Sequence, residues 1–449
     1  MDYLIVGAGP AGLSAALESV QRGFRPVVID NRPEPGGNIY AWLGSTSRNR
    51  PRHLGIFGPD YAKGTALLEA FDKAVSKDEI TYHPSTRLWQ LDRSGQFAFT
   101  GPQGTRTGQA ARVLLATGAQ ERPMPVPGWT LPGVMGVGAA QILLKSGGAL
   151  PDGPIVIVGA GPLPLLLAEQ LRRLGRPVAG FIEPRGASNL LGTGSALLGA
   201  AKAPATALKG MMLLARRSAG KSRIWRRATD IRIYGDGRAQ GLRFAAGNGQ
   251  QDIQATCVLL HDGIIPNLNP MRAASLPMSY VAEQATWHCR PQGAIQIAGD
   301  ASGILGADAA IITGRMAAAE AAGAAADSTD LRKLKRLRSF RRFLDAAYPP
   351  VRTARGAAAD TVICRCEMIR AETLRTAARS AGTDPNALKR ALRVGMGPCQ
   401  GRLCAHSIAD LIAADSGSAP AEIGIQSIRP PILPVSFATL AEIELRRNL

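Results

Sequence analysis

The sequence lacks several features that would mark a membrane-spanning, secreted or nucleic-acid-binding protein. In its 449 residues no apolar run approaches the roughly 20 residues that span a bilayer, and no basic, cleavable segment precedes the first strand-like residues. Aromatic residues make up only 5%, and no nucleic-acid-binding module is visible although the formal net charge is +19. We therefore expect a cytoplasmic protein with reduced thiols and no nucleic-acid partner.

Side chains suited to substrate chemistry are also scarce. The chain has five scattered histidines, and the sequence suggests no His–carboxylate or nucleophile arrangement. Cys257 and Cys289 are isolated, so the redox-active cysteine pair of disulfide reductases is missing here. Cys257 lies in the apolar stretch "TCVLL" and is predicted to be a packing residue, and a structural role is also favoured for Cys289.

Much of the positive charge lies in two stretches, "AKAPATALKGMMLLARRSAGKSRIWRR" (201–227) and "LRKLKRLRSFRRF" (331–343). Three interpretations remain open. They can be solvated helix faces, a surface for an acidic protein partner, or a surface for an anionic membrane such as the inner membrane.

Strand and helix signals alternate along the chain, and one pattern occurs twice. Tyr3–Val6, residues 10–23 and "PVVID" (26–30) form a βαβ unit, and "PIVIVGAGP" (154–162) begins a second unit about 150 residues later. A segment rich in proline and glycine (119–137) separates them, as expected where a chain crosses between domains. The pattern predicts an α/β protein with two Rossmann-like dinucleotide-binding domains.

The first glycine motif, Gly7-x-Gly9-x-x-Gly12, lies between a predicted strand and a predicted helix. The first glycine permits a tight turn, the second lets the backbone approach a pyrophosphate, and the third lets the helix pack against the strand. The helix N-terminus offers free N–H groups to the phosphates. Asp30, which ends the next strand, is placed to bind a ribose hydroxyl, so the motif predicts a dinucleotide site.

Three more segments resemble loops of flavoproteins that have two dinucleotide-binding domains, such as glutathione and thioredoxin reductases. "IAGDASG" (297–303) resembles their second FAD fingerprint, in which the acid holds the ribityl chain, and "ATG" (116–118) and "GGN" (36–38) match two other loops. The resemblance covers roughly residues 1–330 and implies that the first domain binds FAD. The residues implied to bind it are Gly7, Gly9, Pro10, Ala11, Gly12, Asp30, Gly37, Asn38, Thr117, Gly118, Gly299, Asp300 and Ala309.

The second glycine motif is incomplete. Gly159 and Gly161 repeat the first two glycines, but Pro164 stands at the third position, where close helix–strand packing needs no side chain. Glu183 ends the following strand and is placed to bind an adenosine ribose. The sequence leaves open whether this domain binds NAD(P), binds another adenine nucleotide or is vestigial.

Four cysteines stand in two close pairs near the carboxyl end, Cys364-x-Cys366 and Cys399-x4-Cys404. Four thiolates can hold either zinc or an iron–sulfur cluster. Cys-x-Cys is tighter than the usual zinc spacing, and an upstream flavin could supply electrons that zinc could not accept. These features favour a 2Fe–2S cluster, with zinc as the alternative. Arg365, Arg402 and the helix predicted after Cys404 would stabilise an anionic cluster and raise its reduction potential.

Beyond these motifs, "VICRCEM", "GMGPCQGRLC" and "RPPILPVSFATLAEIE" resemble the FAD and iron–sulfur subunit of multimeric amine dehydrogenases. This family includes opine (octopine or nopaline) oxidase, D-hydroxyproline dehydrogenase and hydrogen cyanide synthase. The cysteine segment is similar to a bacterioferritin-associated-ferredoxin-type 2Fe–2S domain, with x4 instead of x2 in the second pair, a departure that these subunits share.

The resemblance implies a division into an FAD domain (1–120 and 290–330), a second nucleotide domain (121–289), a basic helical linker (331–360), a helical 2Fe–2S domain (361–415) and a tail (416–449). It also implies a partner subunit, similar to D-amino-acid or sarcosine oxidases, that carries its own FAD and the substrate chemistry. Further implications are a small third subunit, and an FMN between the subunits. The function expected is electron transfer from an amino or imino acid (opine, D-hydroxyproline or glycine type) to a quinone or similar acceptor. The alternatives are an NAD(P)H-dependent reductase that uses its own cluster, and a non-catalytic scaffold subunit.

Overall fold

The first nucleotide-binding unit is built on a five-stranded parallel sheet. The computed structural model describes residues 1–41, 43, 55–58, 61–186, 189, 194, 197–220, 222–247 and 249–447; Lys221 of the first basic stretch and the last two residues of the tail lie outside these ranges. The sheet strands, in spatial order, are β19 (Ile295–Ile297), β7 (Arg112–Leu115), β1 (Tyr3–Val6), β2 (Val27–Ile29) and β3 (Thr81–His83). Because β1, β2 and β7 are short apolar strands buried on both faces, they occupy the middle of the sheet.

Three antiparallel strands lie beside this sheet: β4 (Arg87–Leu91), β5 (Gln96–Gly101) and β6 (Gly104–Gln109). The sequences "LWQLD" and "QFAFT" alternate in character around the turn "RSG", which predicts the hairpin of β4 and β5, and the structure confirms it.

The second unit is a seven-stranded mixed sheet. In spatial order its strands are β14 (Gly249–Gln254), β13 (Gly241–Ala246), β12 (Arg223–Tyr234), β11 (Gly180–Pro184), β10 (Ile155–Gly159), β15 (Cys257–His261) and β9 (Val134–Gly136). Strands β9, β15, β10, β11 and β12 run parallel, and β13 and β14 extend the sheet as an antiparallel meander. The repeated βαβ unit predicted from the sequence is thus confirmed.

Short strand pairs connect these units to the rest of the chain. They are β8 (Ala119–Glu121) with β16 (Ile264–Pro266), β17 (Met278–Val281) with β18 (Thr286–Cys289), and β20 (Val362–Cys364) with β21 (Ile369–Arg370). The α-helices span Pro10–Gln21, Gly37–Tyr40, Ala62–Ser76, Val137–Gly147, Pro162–Arg173, Leu197–Ala201, Pro204–Ala219, Asn269–Ala273, Ala307–Ala321, Ser328–Ala347, Ala371–Ala381, Pro385–Leu392, Ala405–Ser416, Pro420–Ile423 and Phe437–Arg447. Short 3₁₀ turns occupy Ala282–Gln284, Gly299–Ala301 and Thr353–Gly356.

The cysteine segment folds as a small helical module against the first unit. Its helices are Ala371–Ala381, Pro385–Leu392 and Ala405–Ser416. One hydrophobic cluster is continuous from Leu4 and Leu115 of the first sheet to Ile363 and Ile408 of the module. Shared burial of this kind fixes the module on the sheet, because separating them would expose the cluster to water.

The basic helix Ser328–Ala347 packs on the helix Ala307–Ala321 through Leu334, which contacts Ala309 and Ile312. Periodicity also predicts Leu331 on this apolar stripe, but its side chain is 47% exposed because the shared cluster of the two helices does not extend to it. Among the helices of the described ranges, none combines the length and apolar character required to cross a bilayer.

Candidate flavin and iron–sulfur sites

The first glycine loop packs as tightly as its motif predicts. A Cβ on Gly12 would lie 1.8 Å from the carbonyl oxygen of Gly7, so only glycine allows this approach of helix to strand. The helix Pro10–Gln21 begins after Gly9, and no side chain caps it. Its first-turn N–H groups are therefore available to a ligand.

Gly9 differs from its neighbours because the protein itself leaves room beside it. The nearest atom to a Cβ added at Gly9 is the Cα of Gly37, at 3.7 Å. A glycine that the fold does not require, at an uncapped helix start, is the cradle that a pyrophosphate needs. The residues of this loop therefore fit FAD, with Gly9 and the N–H groups of Ala11 and Gly12 as its phosphate contacts.

Asp30 lies at the end of β2 and holds the loop together. Its carboxylate accepts hydrogen bonds from the backbone N–H groups of Ala8, at 2.5 Å, and Arg32, at 2.8 Å. Burial raises the pKa of this carboxyl above its usual value, although these N–H groups favour its charged form. A role for Asp30 on a ribose hydroxyl stays a prediction, because two of its acceptor sites serve the backbone.

The predicted "GGN" loop lies against the first glycine loop. The N–H of Gly36 donates to the carbonyl oxygen of Ala8 at 2.8 Å, and Asn38 accepts a hydrogen bond from Arg32. Lys145, from the helix Val137–Gly147, donates to the carbonyl oxygen of Asn38 at 2.8 Å. This buried lysine has no signal in the sequence, since it lies more than 100 residues from the loop that it contacts.

The second FAD fingerprint meets the first through direct contact. A Cβ on Gly299 would lie 2.8 Å from the Cβ of Ala11, so "AGD" and "GAGPAG" are neighbours in space. Asp300 accepts hydrogen bonds from the N–H groups of Leu305 (2.9 Å) and Gly306 (3.0 Å), which lead into the helix Ala307–Ala321. The side chain of Ala309 packs in a hydrophobic cluster instead, so any contact it makes with a cofactor would come from its backbone.

The "ATG" segment contacts the end of the second unit. Asn267 donates its N–H to the carbonyl oxygen of Gly118 at 3.1 Å, and its own carbonyl oxygen lies 3.5 Å from the hydroxyl of Thr117. The structure thus joins all four loops predicted for FAD at one edge of the first sheet, the edge formed by the carboxyl ends of its parallel strands.

The second glycine loop has different surroundings. Glu183, the predicted ribose ligand, is buried and paired with Arg217, and Arg226 lies 3.7 Å away. The first helical hydrogen bond, from Leu165 N–H to the carbonyl oxygen of Gly161, is 3.4 Å long, as expected if the Pro164 ring holds the helix away from the turn.

The expectation that no histidine pairs with a carboxylate is wrong at one position. Nδ1 of His261 lies 2.6 Å from Oε1 of Glu121, whose other oxygen accepts the N–H of Gly138 at 2.9 Å. The two partners are 140 residues apart, so only the fold could reveal the pair. It lies beside the second glycine loop, because a Cβ on Gly161 would be 3.5 Å from Nε2 of His261.

All six cysteines are free thiols. Burial raises the pKa of Cys257 to about 11 and that of Cys289 to about 12, as expected of packing residues. The four late cysteines lie in two neighbouring pairs, with Cys404 beside Cys364 in the buried pair and Cys399 beside Cys366 in the more exposed pair.

Two of the four sulfur atoms, those of Cys364 and Cys366, lie near backbone donors. The hydrogen bond from Cys404, together with N–H groups of Gly395, Glu367 and Cys366, lowers the pKa of the Cys364 thiol to about 6. A donor also reaches Cys366 from the N–H of Cys399. Four cysteines in two neighbouring pairs, with backbone donors at two of their sulfur atoms, are the residue types that an iron–sulfur cluster takes, so the residues present fit the cluster. Among the residues that the structure describes, however, no three His, Cys, Asp or Glu side chains are spaced to hold a metal ion, so the four-ligand centre stays a prediction.

Hydrogen bonds connect the cysteine loop (residues 399–404) directly to segments beside the predicted FAD site. The side-chain amide of Gln120, two residues after the "ATG" segment, donates to the carbonyl oxygen of Arg402 at 2.7 Å. Asn269, two residues after Asn267, donates to the carbonyl oxygen of Cys399 at 3.1 Å. The two candidate sites therefore share one hydrogen-bonded boundary.

Comparisons with known proteins agree with this architecture. Residues 1–326 match the family described as pyridine nucleotide-disulphide oxidoreductase, and residues 363–443 match the sarcosine oxidase A3 domain. The chain is 40% identical to the A subunit of opine oxidase from Rhizobium meliloti, over 98% of this chain and 87% of that protein. It is 31% identical to hydrogen cyanide synthase subunit HcnB of Pseudomonas aeruginosa, over 98% of both chains.

A solved structure, the L-proline dehydrogenase from P. horikoshii, has the same fold with a TM-score of 0.70 and 20% identity, over 98% of this chain and 79% of that chain. These matches confirm the predicted fold of a two-dinucleotide-domain flavoprotein followed by a small helical domain.

Proposed function

The chain belongs to the family of opine oxidase A subunits and hydrogen cyanide synthase HcnB subunits, and we propose that it is the electron-transferring subunit of a multi-subunit amino-acid dehydrogenase or oxidase. Its oxidoreductase fold agrees with this role. The substrate would be an amino or imino acid whose C–N bond is oxidised, of the opine, D-hydroxyproline or glycine type.

The observation that carries the proposal is the shared boundary between the two candidate sites. Gln120 and Asn269 bond the FAD-side segments to the backbone of the Cys399–Cys404 loop. Electron transfer needs donor and acceptor held at a short, fixed separation, and direct hydrogen bonds between their two loops supply it. A scaffold subunit would not need this contact.

The division of labour follows from the chemistry of each site. Oxidation of a C–N single bond to an imine releases two electrons and two protons, and reduction of a quinone to a quinol takes up the same number. When bound, FAD accepts electrons in pairs and an iron–sulfur cluster carries them singly. This chain's glycine loops would hold the FAD, and Cys364, Cys366, Cys399 and Cys404 would hold the cluster.

The partners proposed are an FAD-containing β subunit similar to D-amino-acid or sarcosine oxidases and a small third subunit, with FMN at the interface. The relatives are themselves described as subunits of opine oxidase and hydrogen cyanide synthase, which supports a multi-subunit assembly. The acceptor would be a quinone or similar compound, reached in the cytoplasm or at the inner membrane.

The test is Cys399→Ser in the purified, anaerobically handled protein. We expect iron and acid-labile sulfide to fall and the electron paramagnetic resonance signal of the reduced cluster to disappear, while FAD absorbance remains. Cys257→Ser is the matched control, because Cys257 is a buried thiol in the second sheet and its replacement should leave all four readouts unchanged. A cluster signal that survives Cys399→Ser, or stoichiometric zinc in the unmodified protein, would contradict the proposal.

A further inference from the structure

Two buried polar side chains from outside the cysteine segment lie against its glycine-rich loop. Arg272 belongs to the short helix Asn269–Ala273 and is 5% exposed, and Gln426 lies in the tail and is 1% exposed. Within the described part of the chain, Nε of Arg272 and both amide atoms of Gln426 have no hydrogen-bond partner. An unpaired buried polar group costs about 1–3 kcal/mol, so the two donors among these atoms, Nε of Arg272 and Nε2 of Gln426, indicate an absent acceptor.

Both side chains are held in position by other contacts. Arg272 donates through Nη1 to Asn269 at 3.1 Å and through Nη2 to the backbone carbonyl of Gln426. The N–H of Ser427 donates to the side chain of Asn386 at 2.9 Å, which ties the tail to the cysteine module. The arrangement is therefore fixed by the fold and does not depend on the unpaired atoms.

Two glycines of "GMGPCQG" make the close approach possible. Gly395 and Gly401 have φ angles of +80° and +74°, in the region that favours glycine. A Cβ on Gly395 would lie 3.1 Å from Nε2 of Gln426, and a Cβ on Gly401 would lie 3.4 Å from Nη2 of Arg272. The loop thus lets the guanidinium and the amide approach its backbone.

The charge of Arg272 has no carboxylate partner. No ion pair to an Asp or Glu forms at Arg272 within the described residues, and the groups that favour its positive charge are Cys404, Cys289 and Cys399. A buried charge without compensation costs several kcal/mol. Of these three cysteines, Cys399 and Cys404 belong to the cysteine loop and would carry negative charge as thiolate ligands of a cluster.

We propose that Arg272 and Gln426 line the iron–sulfur site, Arg272 with its positive charge and Gln426 with its amide N–H groups, and that they raise the reduction potential of its cluster. A buried positive charge favours the reduced, more negative state, and amide donors toward sulfur act in the same direction. Because the field of a buried charge is screened far less than that of an exposed one, Arg272 should outweigh Arg365 and Arg402, which are exposed. This inference rests on the proposed function, since it requires a cluster on the four cysteines.

The experiment is a redox titration of the purified protein, followed by the electron paramagnetic resonance signal of the cluster. Arg272→Gln should lower the ratio of reduced to oxidised cluster at a fixed potential at least tenfold, which for one electron is about 59 mV. Arg272→Lys keeps the charge and should stay near the unmodified protein. Arg402→Gln is the matched control, since it removes an exposed charge from the same loop and should change the ratio less than Arg272→Gln does.

A second variant, Gln426→Glu, adds a negative charge beside Arg272 and should also lower the ratio of reduced to oxidised cluster. If Arg272→Gln and Gln426→Glu fail to retain iron while Arg272→Lys and Arg402→Gln retain it, the need for positive charge is again supported. Loss of iron in Arg272→Lys as well, or equal shifts in Arg272→Gln and Arg402→Gln, would overturn the inference. Absence of iron and sulfide from the unmodified protein would instead refute the proposed function.

Discussion

The two glycine loops lie in the same βαβ arrangement but differ in the packing that a dinucleotide would meet. In the first, the N–H of Leu13 bonds to Gly9 at 2.9 Å and open space remains beside Gly9. In the second, the equivalent bond from Leu165 is 3.4 Å long and the third glycine is replaced by Pro164. A duplicated fold can therefore keep its sheet topology while only one copy keeps the packing of a dinucleotide loop.

The acids that end the second strand of each unit sharpen the contrast. Asp30 accepts N–H groups of its own loop, whereas Glu183 is paired with the guanidinium of Arg217 and lies near Arg226. A carboxylate that is engaged by an arginine is a poorer acceptor for a ribose hydroxyl. This difference counts against the alternative of an NAD(P)H-driven reductase and favours electrons that arrive from a partner subunit.

The largest effect expected from this comparison is a loss of stability in the second unit, caused by Arg217→Met. The side chains of Arg217 and Glu183 are 10% and 6% exposed, so the change removes the buried cation of a buried carboxylate and should cost about 3–5 kcal/mol of unfolding free energy. Arg226→Met is the matched control, because Arg226 is 65% exposed and should cost about 0–1 kcal/mol. Urea unfolding would measure both, and equal losses would show that Glu183 does not depend on Arg217.

The next effect concerns the first loop and separates the fold from the ligand. Gly9→Ala meets no protein atom closer than 3.7 Å, so stability should be retained while FAD affinity falls about a hundredfold, or about 2.7 kcal/mol. Gly12→Ala places a methyl group 1.8 Å from the carbonyl oxygen of Gly7 and should also destabilise the protein, by about 1–3 kcal/mol.

FAD titration of the apoprotein and thermal unfolding distinguish these two outcomes. Gly147→Ala is the control, because a Cβ there meets nothing within 4 Å. Normal FAD affinity in Gly9→Ala would remove Gly9 from the pyrophosphate site and erase the difference drawn between the two loops.

The parts of the site that could be predicted are those written in local patterns. The glycine loop and the paired cysteines each indicate their chemistry within a few residues, because tight turns and metal ligands need particular residue types at fixed spacing. Arg217 and Arg272 are ordinary arginines in the sequence, and only tertiary packing makes them buried. Leu331 shows the converse. The helical period places it correctly on the apolar stripe, but the period does not determine whether the neighbouring helix covers it.

The last effect lies where the two units meet, at Lys145. Its buried amino group belongs to the helix before β10 yet donates to Asn38 beside the first loop. Burial, with Arg32 nearby, lowers the pKa of Lys145 to about 7, whereas an unfolded lysine titrates near 10.4. Between these values the unfolded chain binds more protons than the folded one, so stability is fully present above the unfolded pKa and is lost as the pH falls toward 7.

Lys145→Met should abolish this dependence, which amounts to about 1.4 kcal/mol per pH unit at most. The measurement is the difference in unfolding free energy between the unmodified protein and the variant at pH 7, 8 and 9, with Lys77→Met, at an exposed lysine, as the control for loss of charge. Curves that stay parallel across this range would mean that Lys145 keeps its proton in the folded state. The contact of Lys145 with the carbonyl oxygen of Asn38 would then be an ordinary ammonium–carbonyl hydrogen bond, and it would make no pH-dependent contribution to stability in this range.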